Sequence, residues 1–350
     1  MTAPTWQSPD GRATLYCGDC VEVMEQMDDD SVDLVVADPP YFRVKKETWD
    51  RQWDSREGFV GWIGELCSEW KRLLKSNGSL YCFASPQMRA SVELRIGQSF
   101  NTLPTITWAK NEASWRGTHP ESCRSFFPQT EAIIFAEHYG ADNAAKGEAG
   151  YVAKCDELRG FVFEPLRAYL AGELERAGFI CAEVNRSWQQ AKGNKGEMAG
   201  HWFNRSQWAL PTAENYEWLR SLFNRNGGAF LRREYEGLRR EYEALRRPFT
   251  VSADVPYTDI WTFPTVGAYP GKHPCEKPIE LLSHIVNASS RLGAMVLDPV
   301  MGGGSTGVAA ILAGRRFVGI EKEPRWFERA RARCSEALDD LVSRATAARG

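Results

Sequence analysis

The stretch DPVMGGGSTG, residues 298–307, stands between a predicted strand at 294–297 and a predicted helix at 306–313. Its glycines allow the backbone to turn tightly, and the N-terminus of the following helix presents free N–H groups to an anion. Glu321 follows the next predicted strand, where an acid can accept hydrogen bonds from ribose hydroxyls. This order of elements predicts an α/β fold that binds a nucleotide-like cofactor at the turn.

Two common nucleotide-binding folds also contain glycine-rich turns. Gly302-x-Gly304-x-x-Gly307 satisfies the dinucleotide pattern, but only 46 residues follow Gly304. That is too few for the rest of a dinucleotide fold unless the chain order is permuted. No lysine follows the glycines, which disfavours a phosphate-binding loop of the nucleotide triphosphatase type.

A second motif, Asp38-Pro39-Pro40-Tyr41, follows the apolar run 32–37. The prolines must end that strand, and open α/β sheets bind their ligands at the carboxyl ends of strands. A carboxylate, a carbonyl outside any regular ladder and an aromatic ring can accept two N–H hydrogen bonds from a planar amino group and stack on the same heterocycle. The alternative is a plain strand end with a proline turn.

The chain changes character in its middle. Strands alternate with helices up to about residue 137 and again from 272, which predicts a parallel sheet covered by helices on both faces. Residues 138–271 are polar and aromatic and contain the repeat LRREYEG-LRREYEA-LRR at 231–247. The leucines and tyrosines of this repeat fall on one helix face. Packing within its own domain, self-association and contact with a DNA backbone all remain open for that helix.

Composition and charge bound the function classes. The chain has 350 residues, 43 basic and 46 acidic groups and 43% hydrophobic residues, which is ordinary globular composition. The longest apolar runs fall far short of the ~20 residues of a spanning helix, so we expect no membrane insertion. Residues 154–247 carry 16 basic and 13 acidic groups, whereas 1–60 carry 6 and 13. Binding to nucleic acid must therefore use local basic clusters.

The cysteines predict a reducing compartment and no metal. Nine are scattered along the chain, which argues against a disulfide framework and for the cytoplasm. Cys17 and Cys20 have the spacing of a half-site for zinc, but no second cysteine or histidine pair accompanies them.

Three motifs together resemble one family. Asp38-Pro-Pro-Tyr41, His273-Pro-x-x-Lys277-Pro278 and Asp298-Pro-x-x-Gly302-x-Gly304-Ser-Thr306, in that order, look like the β-class of S-adenosylmethionine-dependent DNA amino-methyltransferases. The resemblance implies a Rossmann-like α/β methyltransferase sheet in permuted motif order, with an inserted, mostly helical target recognition domain. Residues 1–137 would be the catalytic half, 138–271 the recognition domain and 272–350 the cofactor-binding half.

The resemblance also implies an activity. A site-specific methyltransferase of this class transfers a methyl group from S-adenosylmethionine to adenine N6 in double-stranded DNA. The catalytic residues would be Asp38, Pro39, Pro40 and Tyr41. The Asp38 side chain and the Pro39 carbonyl would accept hydrogen bonds from the amine, and Tyr41 would stack on the base after it has flipped out of the duplex.

The same resemblance implies a set of cofactor-binding residues. They are Asp19, Cys20, Asp38, His273, Lys277, Asp298, Pro299, Gly302, Gly304, Ser305, Thr306 and Glu321. Asp19 and Cys20 would hold the adenine, Glu321 the ribose, and the hydroxyls of 305 and 306 the carboxylate. Lys277 would either neutralise that carboxylate or pin the catalytic motif. His273 would be a turn residue or, alternatively, catalytic. Val300 stands where the family usually has Phe.

The residues expected to contact DNA fall in two regions. They are Arg43, Lys45 and Lys46 after the catalytic motif, and Trp202, Asn204, Arg205 and Gln207 in the middle segment. The first region would alternatively be an ordinary solvated loop, and the second a tryptophan-anchored small core with exposed polar neighbours.

Several functions remain open at this stage. Aspartate at the head of the tetrapeptide resembles the adenine-N6 subgroup, whereas the cytosine-N4 subgroup more often has serine. A DNA-binding regulator without catalysis, a nicotinamide dehydrogenase and a methyltransferase of RNA or protein amides are the alternatives of other classes. A homodimer is expected from the family.

Overall fold

The computed structural model describes residues 3–110, 121, 124, 126, 128–138, 163–193, 195–205, 208–251 and 257–347. The chain divides into two compact units. We call the first, Met1–His138 with Pro248–Gly350, the sheet unit, and the second, Tyr139–Arg247, the helical unit.

The described strands of the sheet unit form one sheet of ten. They are β1 Trp6–Gln7, β2 Ala13–Cys17, β3 Val32–Ala37, β4 Leu74–Ala84, β5 Asn101–Thr102, β6 Ile106–Ala109, β7 Thr130–Glu137, β8 Ile260–Thr262, β9 Met295–Asp298 and β10 Arg316–Glu321. Their order is β1-β2-β10-β9-β3-β4-β7-β6-β8, with β5 pairing with β7. The predicted α/β fold class is confirmed.

The sheet differs from the expected parallel one at β1, which runs antiparallel to β2, and at β7. All neighbours from β2 to β4 are parallel, but β7 runs antiparallel to both β4 and β6. Parallel pairing requires a crossover connection, usually a helix, whereas antiparallel pairing does not. Among the described residues no α-helix separates β5, β6 and β7, and β7 pairs antiparallel with each of its neighbours.

Residues 248–271 belong with the sheet unit and not with the middle segment, where the sequence analysis had placed them. Strand β8 pairs in parallel with β6, with Trp261 opposite Trp108. Trp261 is buried in the core on one face of the sheet. The boundary was missed because a three-residue strand carries almost no periodic signal.

Helices cover both faces of the sheet. They are α1 Cys20–Met24, α2 Arg56–Leu73, α3 Arg89–Gly97, α9 Ile279–Ser289, α10 Ser305–Leu312 and α11 Pro324–Ala347. The first three enclose one core and the last three the other. Leu34 and Val36 of β3 point into one core and Val35 and Ala37 into the other, so this central strand is buried on both faces.

Four adjacent parallel strands end at the same edge of the sheet, in the order β2, β10, β9, β3. Asp19 follows β2, Glu321 ends β10, Asp298 ends β9 and Asp38 follows β3. The carboxyl ends of parallel strands are where open α/β sheets bind ligands. The sheet therefore gathers at one edge four acids that are far apart in the sequence.

The helical unit consists of five helices among its described residues. They are α4 Glu164–Arg176, α5 Cys181–Lys192, α6 Ala199–Phe203, α7 Ala213–Asn224 and α8 Tyr235–Leu245. The predicted apolar face of the LRREYEG repeat packs into the core of this unit, where Leu231 and Leu238 are fully buried. Leu231 itself precedes the helix with φ of +53°. In the described ranges no helix is long and apolar enough to cross a membrane.

Candidate active site

Asp38 lies at the carboxyl end of β3 and lines a cavity of about 300 Å³. Its Oδ2 accepts a hydrogen bond from Lys277 Nζ at 2.7 Å. Its Oδ1 is buried, and no described residue donates a hydrogen bond to it. Burial raises the pKa of Asp38, and the Lys277 ammonium opposes that effect. The site thus holds a carboxylate with one oxygen used and one oxygen unused.

Lys277 is the buried cation of the site. It is 6% exposed and lies 3.1 Å from the Tyr41 hydroxyl and 3.3 Å from Glu131 Oε2. It also lies over the rings of Tyr41 and Phe83, at 5.1 and 4.9 Å from their centroids. Of the two roles expected for Lys277, the contacts correspond to pinning the catalytic motif, and its role toward a cofactor stays a prediction.

Glu131 was missed by the sequence analysis. Its Oε2 accepts a 2.8 Å hydrogen bond from the Tyr41 hydroxyl, and its Oε1 pairs with Lys110. Burial raises the pKa of Glu131, but the cations of Lys277 and Lys110 outweigh burial and lower the pKa to about 2. An acid at the start of an otherwise apolar strand, EAIIFA at 131–136, is a signal that could have identified it.

The loop after the tetrapeptide folds around Asp50. This residue is fully buried, and its carboxylate accepts from the backbone N–H of Tyr41 at 2.6 Å and of Lys45 at 2.5 Å. Phe42 and Arg43 have φ of +58° and +63°, in the left-handed region that non-glycine residues rarely adopt. The loop was expected to be either a clamp or a solvated segment, and no motif pointed to Asp50.

The three basic residues expected on this loop differ in their surroundings. The Arg43 guanidinium donates to the carbonyls of Trp53 and Asp54, at 3.2 and 2.8 Å, so it closes the loop on itself. Lys45 lines the cavity. Lys46 is exposed. Their contact with DNA remains a prediction.

The glycine-rich turn lies opposite, after β9. Gly302 and Gly304 have φ of +48° and +77°, which favours glycine. A Cβ on Gly304 would lie 2.8 Å from Ala330, and one on Gly302 would lie 3.1 Å from the His273 ring. The close approach that requires glycine at these two positions is therefore made by the protein itself.

Acids hold the glycine-rich turn in place. Glu321 accepts from the N–H of Gly302 at 2.9 Å and of Glu323 at 2.8 Å. Asp298 accepts from the N–H of Val300 at 3.1 Å. Burial raises the pKa of Glu321 and raises that of Asp298 to about 7. Each carboxylate oxygen can accept two hydrogen bonds, so Glu321 retains acceptor capacity for a ligand.

The two hydroxyls at the start of α10 are engaged differently. The Thr306 hydroxyl lowers the pKa of Asp298, against the larger effect of burial. Ser305 accepts from Arg333 at 3.1 Å and keeps its own O–H. Both hydroxyls line the cavity, and their donation to a cofactor carboxylate stays a prediction.

His273 is a packed, neutral ring. It lies 4.6 Å from the Trp326 ring, and its Nδ1 accepts from the backbone N–H of Cys275 at 3.3 Å. Burial, with the nearby Lys277 cation, lowers its pKa to about 4. These contacts fit the expected turn residue rather than the catalytic alternative.

One cavity brings together nearly all of the residues expected to bind the target and the cofactor. Those lining it are Asp19, Cys20, Asp38, Pro39, Pro40, Tyr41, His273, Lys277, Asp298, Pro299, Gly302, Ser305, Thr306 and Glu321. Gly304 is not among the lining residues. Asp19 also caps α1, accepting from the N–H of Val21 at 3.0 Å. No group of three or more potential ligands among the described residues is placed to hold a metal ion.

The residues expected to contact DNA in the middle segment do not form one set. Trp202 is 2% exposed and packs edge-to-face on Trp188 at 5.2 Å, so it is a core residue of the helical unit and not a surface contact. Asn204 and Arg205 are exposed. Gln207 lies outside the described residues. A tryptophan ring can pack in a protein core or stack on a base, and the residue type alone does not distinguish these two roles.

The chain has recognisable relatives. Residues 32–332 match the family model N6_N4_Mtase, described as DNA methylase. The type II methyltransferase M2.MboI of Moraxella bovis is 24% identical over 352 residues, which cover 95% of this chain and 91% of that protein. The DNA adenine methyltransferase YhdJ of Escherichia coli is 23% identical over 322 residues, covering 88% and 78%.

Solved structures share the fold. The cytosine-N4-specific PvuII DNA methyltransferase superposes with a TM-score of 0.53 at 12% identity, covering 98% of this chain and 94% of that one. The complex of M1.HpyAVI with SAM gives 0.50 at 17% identity, covering 92% and 98%. Asp38, Lys277, Asp298 and Glu321, which line the cavity, lie within the stretch that matches the family model, and this chain belongs to the N6_N4 DNA methylase family.

Proposed function

We propose that this DNA methyltransferase transfers a methyl group from S-adenosylmethionine to N6 of adenine in double-stranded DNA. The observation that carries the proposal is the buried Oδ1 of Asp38, an acceptor with no hydrogen-bond donor among the described residues. A buried acceptor without a partner costs free energy, about 1–3 kcal/mol, so such an atom suits a donor supplied by the substrate. An exocyclic amine is such a donor.

The cavity has the features that S-adenosylmethionine requires. Glu321 retains acceptor capacity toward ribose hydroxyls, and Ser305 retains an O–H toward a carboxylate. Asp298 and Glu321 are acids whose pKa is raised by burial, and a cation nearby would stabilise their charged forms. When bound, S-adenosylmethionine supplies such a cation, a sulfonium that carries a transferable methyl group.

The chain's own residues prepare the amine. The lone pair of the exocyclic amine is delocalised into the base ring, which makes the amine a weak nucleophile. Hydrogen bonds to Asp38 Oδ1 and to the Pro39 carbonyl favour a tetrahedral nitrogen with a localised lone pair. The Tyr41 ring is fixed by its hydroxyl, which donates to Glu131, so the ring can stack on the base without losing much rotational freedom. Positioning and electrostatics then supply most of the rate acceleration.

We further propose the β-class arrangement, in which the catalytic motif precedes the cofactor motif and the segment between them recognises the target. The supporting observation is that a compact helical unit, Tyr139–Arg247, interrupts the sheet unit in the sequence. Exposed Asn204 and Arg205 on this unit, and Arg43, Lys45 and Lys46 on the sheet unit, are the residues we propose for contact with DNA. We expect a homodimer in the cytoplasm, where cysteines such as Cys67 and Cys82, free in the structure, would stay reduced.

Cytosine N4 is the competing target, since it presents a similar amine. Aspartate at the head of the tetrapeptide favours adenine. The experiment is to incubate the protein with double-stranded DNA and labelled S-adenosylmethionine, digest the DNA and identify methylated nucleosides by mass spectrometry. N6-methyladenine is the expected product. N4-methylcytosine would refute the choice of base.

The variant that tests the mechanism is Asp38→Asn, which preserves the shape of the side chain. We expect it to lose at least about 100-fold in methyl transfer, because a neutral amide is a weaker acceptor in a preorganised site. Its affinity for S-adenosylmethionine should stay within about threefold of wild type. If Asp38→Asn retains wild-type activity, the proposed mechanism is wrong.

A further inference from the structure

Glu131 is a charged residue in a place that strongly disfavours charge. It lies in β7, directly opposite Trp108 of β6, and its side chain is only 10% exposed. Burying a carboxylate costs several kcal/mol unless ion pairs and hydrogen bonds compensate. The Tyr41 hydroxyl and the cations of Lys110 and Lys277 compensate the cost of burying this carboxylate, which indicates that the position has a use beyond packing.

The partners of Glu131 lead to the reacting atoms in two steps. Its Oε2 receives the Tyr41 hydroxyl at 2.8 Å and lies 3.3 Å from Lys277. Lys277 in turn donates to Tyr41 Oη at 3.1 Å and to Asp38 Oδ2 at 2.7 Å. Tyr41 and Lys277 are thereby tied to each other and to Glu131.

The contacts among Glu131, Tyr41 and Lys277 determine which oxygen of Asp38 is available. An ammonium has three N–H donors and no acceptor, and contacts to Asp38, Tyr41 and Glu131 account for all three of them. With Lys277 anchored on Glu131, Oδ2 of Asp38 stays occupied and Oδ1 stays unoccupied by any described residue. Without that anchor, the ammonium could turn to either oxygen.

We propose that Glu131 is a positioning residue for methyl transfer: it anchors Lys277 and the Tyr41 hydroxyl, so that Asp38 presents Oδ1 to the target amine. The proposal rests on the proposed function of the site. Glu131 touches neither cofactor nor target in this scheme, and it acts only through Lys277 and Tyr41.

The charges around Asp38 make the proposal testable by pH. Burial raises the pKa of Asp38, the Lys277 cation lowers it, and the Glu131 anion raises it. The titratable groups that interact with Asp38 are Tyr41, Cys82, Glu131, Cys275, Lys277 and Asp298. A protonated Asp38 is a weaker acceptor than the carboxylate, and one of its oxygens becomes a donor, so the methyl-transfer rate should fall on the acid side of its pKa.

Substitution of Lys277 and substitution of Glu131 should therefore move the acid limb of the pH–rate profile in opposite directions. Lys277→Met removes the cation that favours the carboxylate, so the limb should move to higher pH by about one unit or more. Glu131→Gln removes the anion, so the limb should move to lower pH. At the pH optimum, Glu131→Gln should still lose about tenfold or more in single-turnover rate, because Asp38 and Tyr41 are no longer held in place.

The matched control is Glu69→Gln. Glu69 is also a partly buried glutamate in an ion pair, with Arg72 at 2.6 Å, but it does not line the cavity. We expect its rate and its acid limb to equal those of wild type. Rates are measured on DNA that the wild-type protein methylates, and S-adenosylmethionine affinity is measured by calorimetry. That affinity should stay within about threefold in Glu131→Gln.

The outcomes separate this proposal from the proposed function. If the wild-type protein is active, two results overturn the positioning role alone. One is a Glu131→Gln rate equal to that of wild type. The other is that the acid limbs of Lys277→Met and Glu131→Gln move in the same direction. Wild type that transfers no methyl group refutes the proposed function, and the positioning role with it. If Glu131→Gln does not fold, Tyr41→Phe replaces it, since it removes only the hydroxyl. Its rate should fall about threefold or more, and an unchanged rate would overturn the proposal.

Discussion

Replacing Gly304 by alanine tests the account of the glycine-rich turn. Two costs add at this position. Gly304 has φ of +77°, which costs an alanine roughly 1–2 kcal/mol. A Cβ there would also lie 2.8 Å from the Cα and Cβ of Ala330, closer than real Cβ contacts, and such overpacking typically costs about 1–3 kcal/mol. The expected loss in the free energy of unfolding is therefore about 2–5 kcal/mol.

Gly293 offers a control that separates the two costs. Its φ is +75°, nearly the same, but a Cβ there would meet nothing within 4 Å. Gly293→Ala should lose only about 1–2 kcal/mol, the backbone cost alone. Both variants would be unfolded in urea and followed by far-ultraviolet circular dichroism.

The same pair should differ in binding. Because Ala330 lies in the long final helix, relief of the clash must shift the start of α10, where Ser305 is held. Gly304→Ala should weaken S-adenosylmethionine binding about tenfold or more, equivalent to about 1.4 kcal/mol, and Gly293→Ala should not. Equal unfolding free energies and equal affinities for the two variants would refute the reasoning.

Three further predictions concern other parts of the structure. Burial raises the pKa of Asp298 from about 4 to about 7, so the native state binds more protons than the unfolded chain between those values. Stability without cofactor should fall as pH rises from about 4 to about 7, by at most on the order of 4 kcal/mol, and urea titrations of Asp298→Asn should show a smaller fall. Asp50→Ala should free the 42–54 loop, which limited proteolysis would detect as faster cleavage there; an unchanged cleavage rate would contradict its anchoring role. Trp202→Ala should cost about 3–5 kcal/mol in unfolding, whereas Arg205→Ala should cost little and weaken DNA binding in filter assays.

Elements with strong local signals were predictable from the sequence. The apolar run 32–37 and the helix and strands around the glycine-rich turn are found within a residue or two of their predicted bounds, because burial on both faces leaves a continuous apolar pattern. The α2–β4 junction has a misleading local signal. Asn77-Gly78 favours a turn, but β4 begins at Leu74, directly after the helix, and continues through both residues.

The site was predictable where a motif marked it and not where only the fold did. Asp38, Asp298 and Glu321 were found because each follows a recognisable strand. Glu131 and Asp50 act through contacts with residues far away or across a loop, and no spacing rule encodes such contacts. Lys277 was identified, but its pairing with Asp38 depends on the meeting of segments 239 positions apart, which only the fold provides.

The pairing of β3 with β9 also bears on how the chain is made. Leu34 pairs with Val296, and Thr14 of β2 with Val318 of β10, so the middle of the sheet joins strands that are far apart in the sequence. During synthesis, one edge of β3 must wait, unpaired, until β9 has left the ribosome. Such late-closing sheets fold slowly and expose strand edges to aggregation. We expect truncation before β9 to leave an aggregating fragment, and the enzyme to acquire its active site only after β9 and β10 have been synthesised.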